Sequence, residues 1–111
     1  METKNRTVAL ELTTSDGTIY TVPNNYETEI QSVIVSNIAG SKRKFTFEWY
    51  DAATSTYFPL ASEVDIEANM MVQVTAPLWL VKGESLRGSA SVDNSVVITV
   101  YVKEYFIPKQ I

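Results

Sequence analysis

The sequence predicts an all-β fold: a two-sheet antiparallel sandwich of about eight or nine short strands, jelly-roll-like or immunoglobulin-like. Three observations predict it. Apolar and polar residues alternate with a period of two along most of the chain, and turn-forming residues break that pattern at short intervals. No segment carries a helical stripe of period 3.6. The chain has 111 residues, of which 45% are hydrophobic, enough for one core and one domain spanning residues 1–111.

Thr7–Thr13 sets Val8, Leu10 and Leu12 on one face. Asp16-Gly17 then signals a tight hairpin, with Thr18–Val22 as the returning strand and Pro23 as its stop. Tyr26–Ile38 is long and apolar on both parities, with Ile30 and Ile34 on one and Val33 and Val35 on the other. After a loop around Gly40, Lys44–Asp51 alternates most cleanly, with Phe45, Phe47 and Trp49 inward. Tyr57–Ala61 carries Pro59 and belongs at an edge or a bulge, and Glu63–Glu67 alternates acidic with apolar residues. Met70–Thr75 follows. Leu78–Val81 is apolar on both faces. Ser85–Ser91 presents Leu86, Gly88 and Ala90 on one face, small residues that would let another layer approach closely. Val96–Phe106 is the last long strand, stopped by Pro108.

Composition narrows the function. The chain has no histidine and no cysteine. This removes the commonest general base, thiol nucleophiles, disulfides and zinc-thiolate sites. The formal net charge of −4 speaks against nonspecific nucleic-acid binding. No apolar run reaches the length of a membrane helix. Residues 1–6 are polar with no apolar segment of a signal peptide, and are expected to form an N-terminal arm; residues 107–111 are expected to be a C-terminal docking tail. No cofactor, metal or catalytic residue is predicted. Glu63, Asp65 and Glu67 form an acidic row that a calcium ion would need loop carbonyls to complete, and Glu27 and Glu29 form a same-face pair; both fit a solvated strand face. Lys42, Arg43 and Lys44 are the one basic cluster, either a solvated loop or a polar contact for a partner.

The strands that lack a polar face are the positive lead, because the outer face of an isolated antiparallel sandwich is normally polar. Leu78, Trp79, Leu80 and Val81, with Val97, Tyr101, Val33 and Val35, are therefore the expected interface with another protein. A rival expectation is a carbohydrate-binding module, with Tyr50, Tyr57 and Trp79 as one exposed platform.

The segments Thr18-Ile-Tyr-Thr-Val-Pro23, Val33-Ile-Val-Ser-Asn37, Phe45-Thr-Phe-Glu-Trp-Tyr-Asp51, Pro77-Leu-Trp-Leu-Val-Lys-Gly-Glu-Ser-Leu86 and Val97-Ile-Thr-Val-Tyr-Val102 resemble small β-sandwich virion structural proteins of tailed bacteriophages. The resemblance runs over Thr18–Tyr105 and rests on strand cores and turns, so no active-site residue carries over. It implies a non-enzymatic protein made in the host cytoplasm and located on the phage particle, on the outer capsid surface. There it would act as a capsid decoration (cement) protein, a dimer or trimer clamping neighbouring major capsid subunits, with a neck, tail or baseplate component as the alternative.

Overall fold

A tight turn at residues 52–55 is the centre from which the fold is wound. The computed structural model describes residues 2–74 and 77–108, and within them the chain forms β1 (Thr3–Glu11), β2 (Gly17–Thr21), β3 (Tyr26–Asn37), β4 (Arg43–Asp51), β5 (Thr56–Ile66), β6 (Met71–Val74), β7 (Leu78–Leu80), β8 (Ser85–Ala90) and β9 (Val96–Phe106). Asp51 pairs with Thr56 across the turn. Moving outward on both sides, Val33 pairs with Val74, Thr28 with Leu80, Thr18 with Arg87 and Thr3 with Tyr105. In each pair the two residues lie almost equally far from the turn. The described chain is thus wound as one long antiparallel hairpin.

That hairpin is rolled so that successive pairs fall alternately into two sheets. Sheet I has the order β1-β9-β3-β6, with β7 also on β3, and sheet II has the order β2-β8-β4-β5. This is the jelly roll. An immunoglobulin-like sandwich would keep its first strands together instead of pairing the first with the last.

The predicted hairpin at Asp16-Gly17 does not form. β1 pairs along its length with β9, and β2 pairs with β8 in the other sheet, so residues 12–16 cross between sheets. Neither Asp16 nor Gly17 has the positive φ that a tight Asp-Gly hairpin needs; Gly83 is the glycine that does, with φ 88°. Residues 3–6, expected in an arm, are instead the first part of β1. Ile107 donates its N–H to the Asn25 carbonyl at 2.7 Å, while residues 109–111 of the expected tail lie outside the described residues.

Bulges decide which side chains face inward. In β3 the partners step from Ile30 with Val102 to Ser32 with Tyr101, leaving Gln31 as an extra residue. The alternation therefore flips there: Ile30 is buried before the bulge, Val33 and Val35 after it. The strand has one apolar face that changes parity, rather than two apolar faces. Val33 and Val35 accordingly belong to the core and not to an interface, and so does Leu80. A second bulge in β2, between Thr18 and Tyr20, sends both Ile19 and Tyr20 inward. β5 is the free edge of sheet II, with Pro59 on it and two register shifts against β4.

The core between the sheets joins Phe45 and Phe47 of β4 to Leu86 of β8, Val33 and Val35 of β3, and Ile98, Val100 and Val102 of β9. Buried Asn37 ties one end of the sandwich. Its Nδ2 donates to the carbonyls of Ser41, Ile66 and Glu67 at 2.9, 3.0 and 3.2 Å, and its Oδ1 accepts from Ala39 N at 2.9 Å. Buried Glu84 does the same at the other end, accepting from Ala52 N and Val81 N, both at 3.1 Å.

At Gly88 a Cβ would stand 2.9 Å from the Thr46 carbonyl oxygen and 3.2 and 3.3 Å from Ile19 Cδ1 and Leu12 Cδ2. Two of those contacts are core side chains and the third is backbone, so none yields cheaply. Gly88→Ala is expected to lower stability by about 1–3 kcal/mol in urea unfolding; an unchanged midpoint would show that the strands separate freely there.

Candidate interaction surfaces

The outward face of sheet I is built by alternate residues of β9 and their cross-strand neighbours. Tyr105, Lys103, Tyr101 and Val97 point outward from β9; Glu27, Glu29, Ile34 and Ser36 do so from β3, and Trp79 from β7. Trp79 is 50% exposed. Its ring meets Tyr105 at 5.0 Å between centroids, and its Nε1 donates to Glu27 Oε1 at 3.0 Å. The Tyr105 hydroxyl donates to Glu29 Oε1 at 3.1 Å. The predicted pair Glu27 and Glu29 thus holds two aromatic rings in place. Of the predicted interface residues, Trp79, Val97 and Tyr101 share this face, whereas Val81 is exposed just beyond β7 and Leu78 is half-buried against the core.

The outward face of sheet II is of a different character. Arg87 of β8 donates from Nε to Glu48 Oε1 at 2.6 Å, lies 3.6 Å from Asp16 Oδ2 through Nη2, and stacks 3.3 Å above the Tyr57 ring. Tyr57 rests on Tyr50 at 4.8 Å. Tyr50 and Tyr57 are therefore on the opposite outer face from Trp79, and the three do not form the single platform expected for a carbohydrate site.

The basic cluster and the acidic row, separate in sequence, meet in space. Lys44 Nζ donates to Asp65 Oδ1 at 2.9 Å and Lys42 Nζ lies 3.7 Å from Glu67 Oε1. The hydrogen bond from Lys44 holds the Asp65 carboxyl below its usual range, and the same bond holds the Lys44 ammonium above its own. Arg43 and Lys44 belong to β4. Among the described residues no three acidic side chains are grouped to hold a metal ion.

One polar site escaped the sequence analysis. Glu104 is 0% exposed although it carries a carboxylate. Tyr20 of sheet II donates its hydroxyl to Glu104 Oε2 at 2.5 Å, and Thr28 Oγ1, 2.7 Å from that hydroxyl, is left to donate to it. From β1, Lys4 Nζ and Arg6 Nε each stand 3.7 Å from the carboxylate. Among the described residues Glu104 Oε1 has no hydrogen-bond partner, and the cation facing it is Lys4. The signal was present: Val96, Ile98, Val100 and Val102 form an inward row, and position 104 continues it.

Several solved structures share this architecture. A protein of Bacillus endospore appendages, which form disulfide-linked pili, superposes with a TM-score of 0.59 at 7% identity, over 96% of this chain and 88% of its own. A protein of the virus-like particle of the extra small virus of the giant freshwater prawn Macrobrachium rosenbergii gives 0.51 at 14% identity, over 98% and 80%. A pentameric capsid protein isolated from metagenomic phage sequences gives 0.43 at 20% identity, with this chain spanning 59% of its length. No family model and no curated sequence matches the chain. At these identities the likeness to the spore-appendage and prawn-virus proteins bears on the fold alone: an all-β sandwich of two antiparallel sheets.

Burial, followed by the hydrogen bond to the Glu104 carboxylate, raises the Tyr20 phenol well above its ordinary pKa. A raised pKa contributes stability that is complete below the unfolded value, about 10, and is lost as pH rises beyond it. Tyr20→Phe is expected to cost about 2 kcal/mol at neutral pH, because it removes a bond to a buried carboxylate. It should also flatten the decline of stability above about pH 10. Parallel alkaline curves for the two proteins in urea titrations would contradict the assignment.

Proposed function

We propose that the chain is a non-enzymatic virion structural protein acting through protein–protein contact, and within that class a capsid decoration protein. The observation that carries this is the unlike character of its two outer faces. Sheet I presents Trp79 and Tyr101 to solvent beside half-buried Val97, while sheet II presents the Arg87–Glu48–Asp16 charge network laid over Tyr57. A subunit lying on a shell needs one face for the shell and one for solvent. The partner is then the major capsid protein or another virion protein, met by sheet I, on the outer surface of the particle. The shared fold of the prawn-virus particle protein supports a place in a virion.

A pilus-like appendage is the second reading, favoured by the fold shared with the spore appendage protein. The disulfide links named for those pili require cysteine, which this chain lacks throughout its 111 residues. A neck, tail or baseplate position would use the same outward face of sheet I against a different neighbour.

Exposed aromatic anchors commonly dominate contact energies. Trp79→Ala combined with Val97→Ser is expected to weaken binding to particles about thirtyfold or more, with the thermal unfolding midpoint nearly unchanged. Cosedimentation with purified particles measures this; unchanged particle binding would refute the assignment of sheet I as the contact face.

A further inference from the structure

The outward face of sheet I is acidic as well as aromatic. Glu11 of β1 and Glu27 and Glu29 of β3 point outward with Lys103 of β9, which leaves two carboxylates in excess. Lys4 and Arg6 of the same sheet are turned inward at Glu104. In the turn after β7, Lys82 is matched by Glu84. Beside Trp79 itself stand Glu27 and Glu29, with Lys103 as the nearest cation in register.

Trp79 and Tyr105 flank β3 and reach across it. In register Trp79 is opposite Glu29 and Tyr105 is opposite Glu27. Their hydrogen bonds run the other way, from the indole to Glu27 Oε1 and from the phenol to Glu29 Oε1. Gln31 Nε2 also turns to Glu29 Oε1, at 3.5 Å. Each carboxylate thus holds a ring with Oε1, and among the described residues neither Oε2 has a hydrogen-bond partner. Both carboxylates are half-buried, whereas half of Trp79 is open. Other rings receive a cation from the chain itself: Arg87 lies 3.3 Å above Tyr57, and Lys103 lies 5.4 Å from the Tyr105 ring centre. Among the described residues no cation lies over Trp79, although indole attracts a cation more strongly than phenol does.

We infer that the partner presents an arginine side chain to this site, stacked on the open part of Trp79 with its N–H groups turned to Glu27 and Glu29. The inference deepens the contact function proposed above and rests on it. A surface that covers Trp79 also takes both carboxylates out of water. An apolar partner would leave their open oxygens desolvated and unpaired, which is costly. A cation removes that cost. A planar guanidinium fits better than an ammonium, because it stacks on an aromatic ring while donating along its edges to carboxylates. Tryptophan and arginine are also the side chains in which contact energy concentrates.

Glutamine in place of glutamate separates charge from geometry, since its carbonyl still accepts from the Trp79 indole and the Tyr105 hydroxyl. Glu27→Gln with Glu29→Gln is expected to weaken particle binding at least about tenfold and to remove much of its salt dependence, measured by cosedimentation across a salt series. A second measurement needs no particle. A capped tri-arginine peptide is expected to shift the Trp79 indole N–H resonance, more strongly than tri-lysine and unlike tri-glutamate, and the double variant should lose that shift. Full particle binding by the double variant, or an indole resonance that does not favour tri-arginine over the other two peptides, overturns the inference. Loss of particle binding in the Trp79 and Val97 variant but not in the double glutamine variant refutes the arginine alone. A tri-arginine response in a chain that binds no particle refutes the decoration reading alone.

Discussion

Everything in this molecule depends on antiparallel pairing organised symmetrically about the turn at residues 52–55. Each strand before the turn has its partner at nearly the same distance after it, from Asp51 with Thr56 to Thr3 with Tyr105. Once that pairing is set, rolling the hairpin alternates its pairs between two sheets, and the apolar faces of both must meet. Buried Glu84 at one end and Asn37 at the other reinforce the roll, because each satisfies backbone groups on segments that the winding brings together. Polar side chains hold the ends while apolar ones fill the middle.

The Glu104 site departs from this division. A carboxylate in an otherwise apolar row is costly to bury unless it is paired. Here Tyr20 reaches it from the opposite sheet, while Lys4 and Arg6 reach it from the edge strand. The bulge in β2 makes this possible, since without the extra residue at Ile19 and Tyr20 only one of them could face inward. A local irregularity in one sheet is thus matched to a buried charge in the other. This fixes how the sheets sit in a way that interchangeable apolar contacts could not.

Much of the fold was legible in the sequence because strand alternation is local. Val96–Phe106 was read with its observed bounds, and Pro59 correctly marked an edge and a bulge. What could not be read was pairing between residues far apart along the chain, such as Thr21 with Ser85 and Thr3 with Tyr105. Asp16-Gly17 therefore suggested a hairpin that the distant partners of β1 and β2 override. The bulge at Gln31 made one face look like two, and so drew Val33 and Val35 into the expected interface. For the candidate surfaces, Trp79, Val97 and Tyr101 were recognisable as apolar residues out of phase with the core.

The pairing of β1 with β9 also has a consequence in time. A ribosome adds about 5–20 residues per second, so Thr3 waits about 5–20 s before Tyr105 exists to pair with it. During that interval β1 is a finished strand with no partner, and sheet I cannot close. Its sequence suits the delay: Lys4, Asn5, Arg6 and Thr7 make its leading half polar and charged, a poor template for joining another nascent chain. The same two cations that later compensate Glu104 protect the strand before Glu104 has been made.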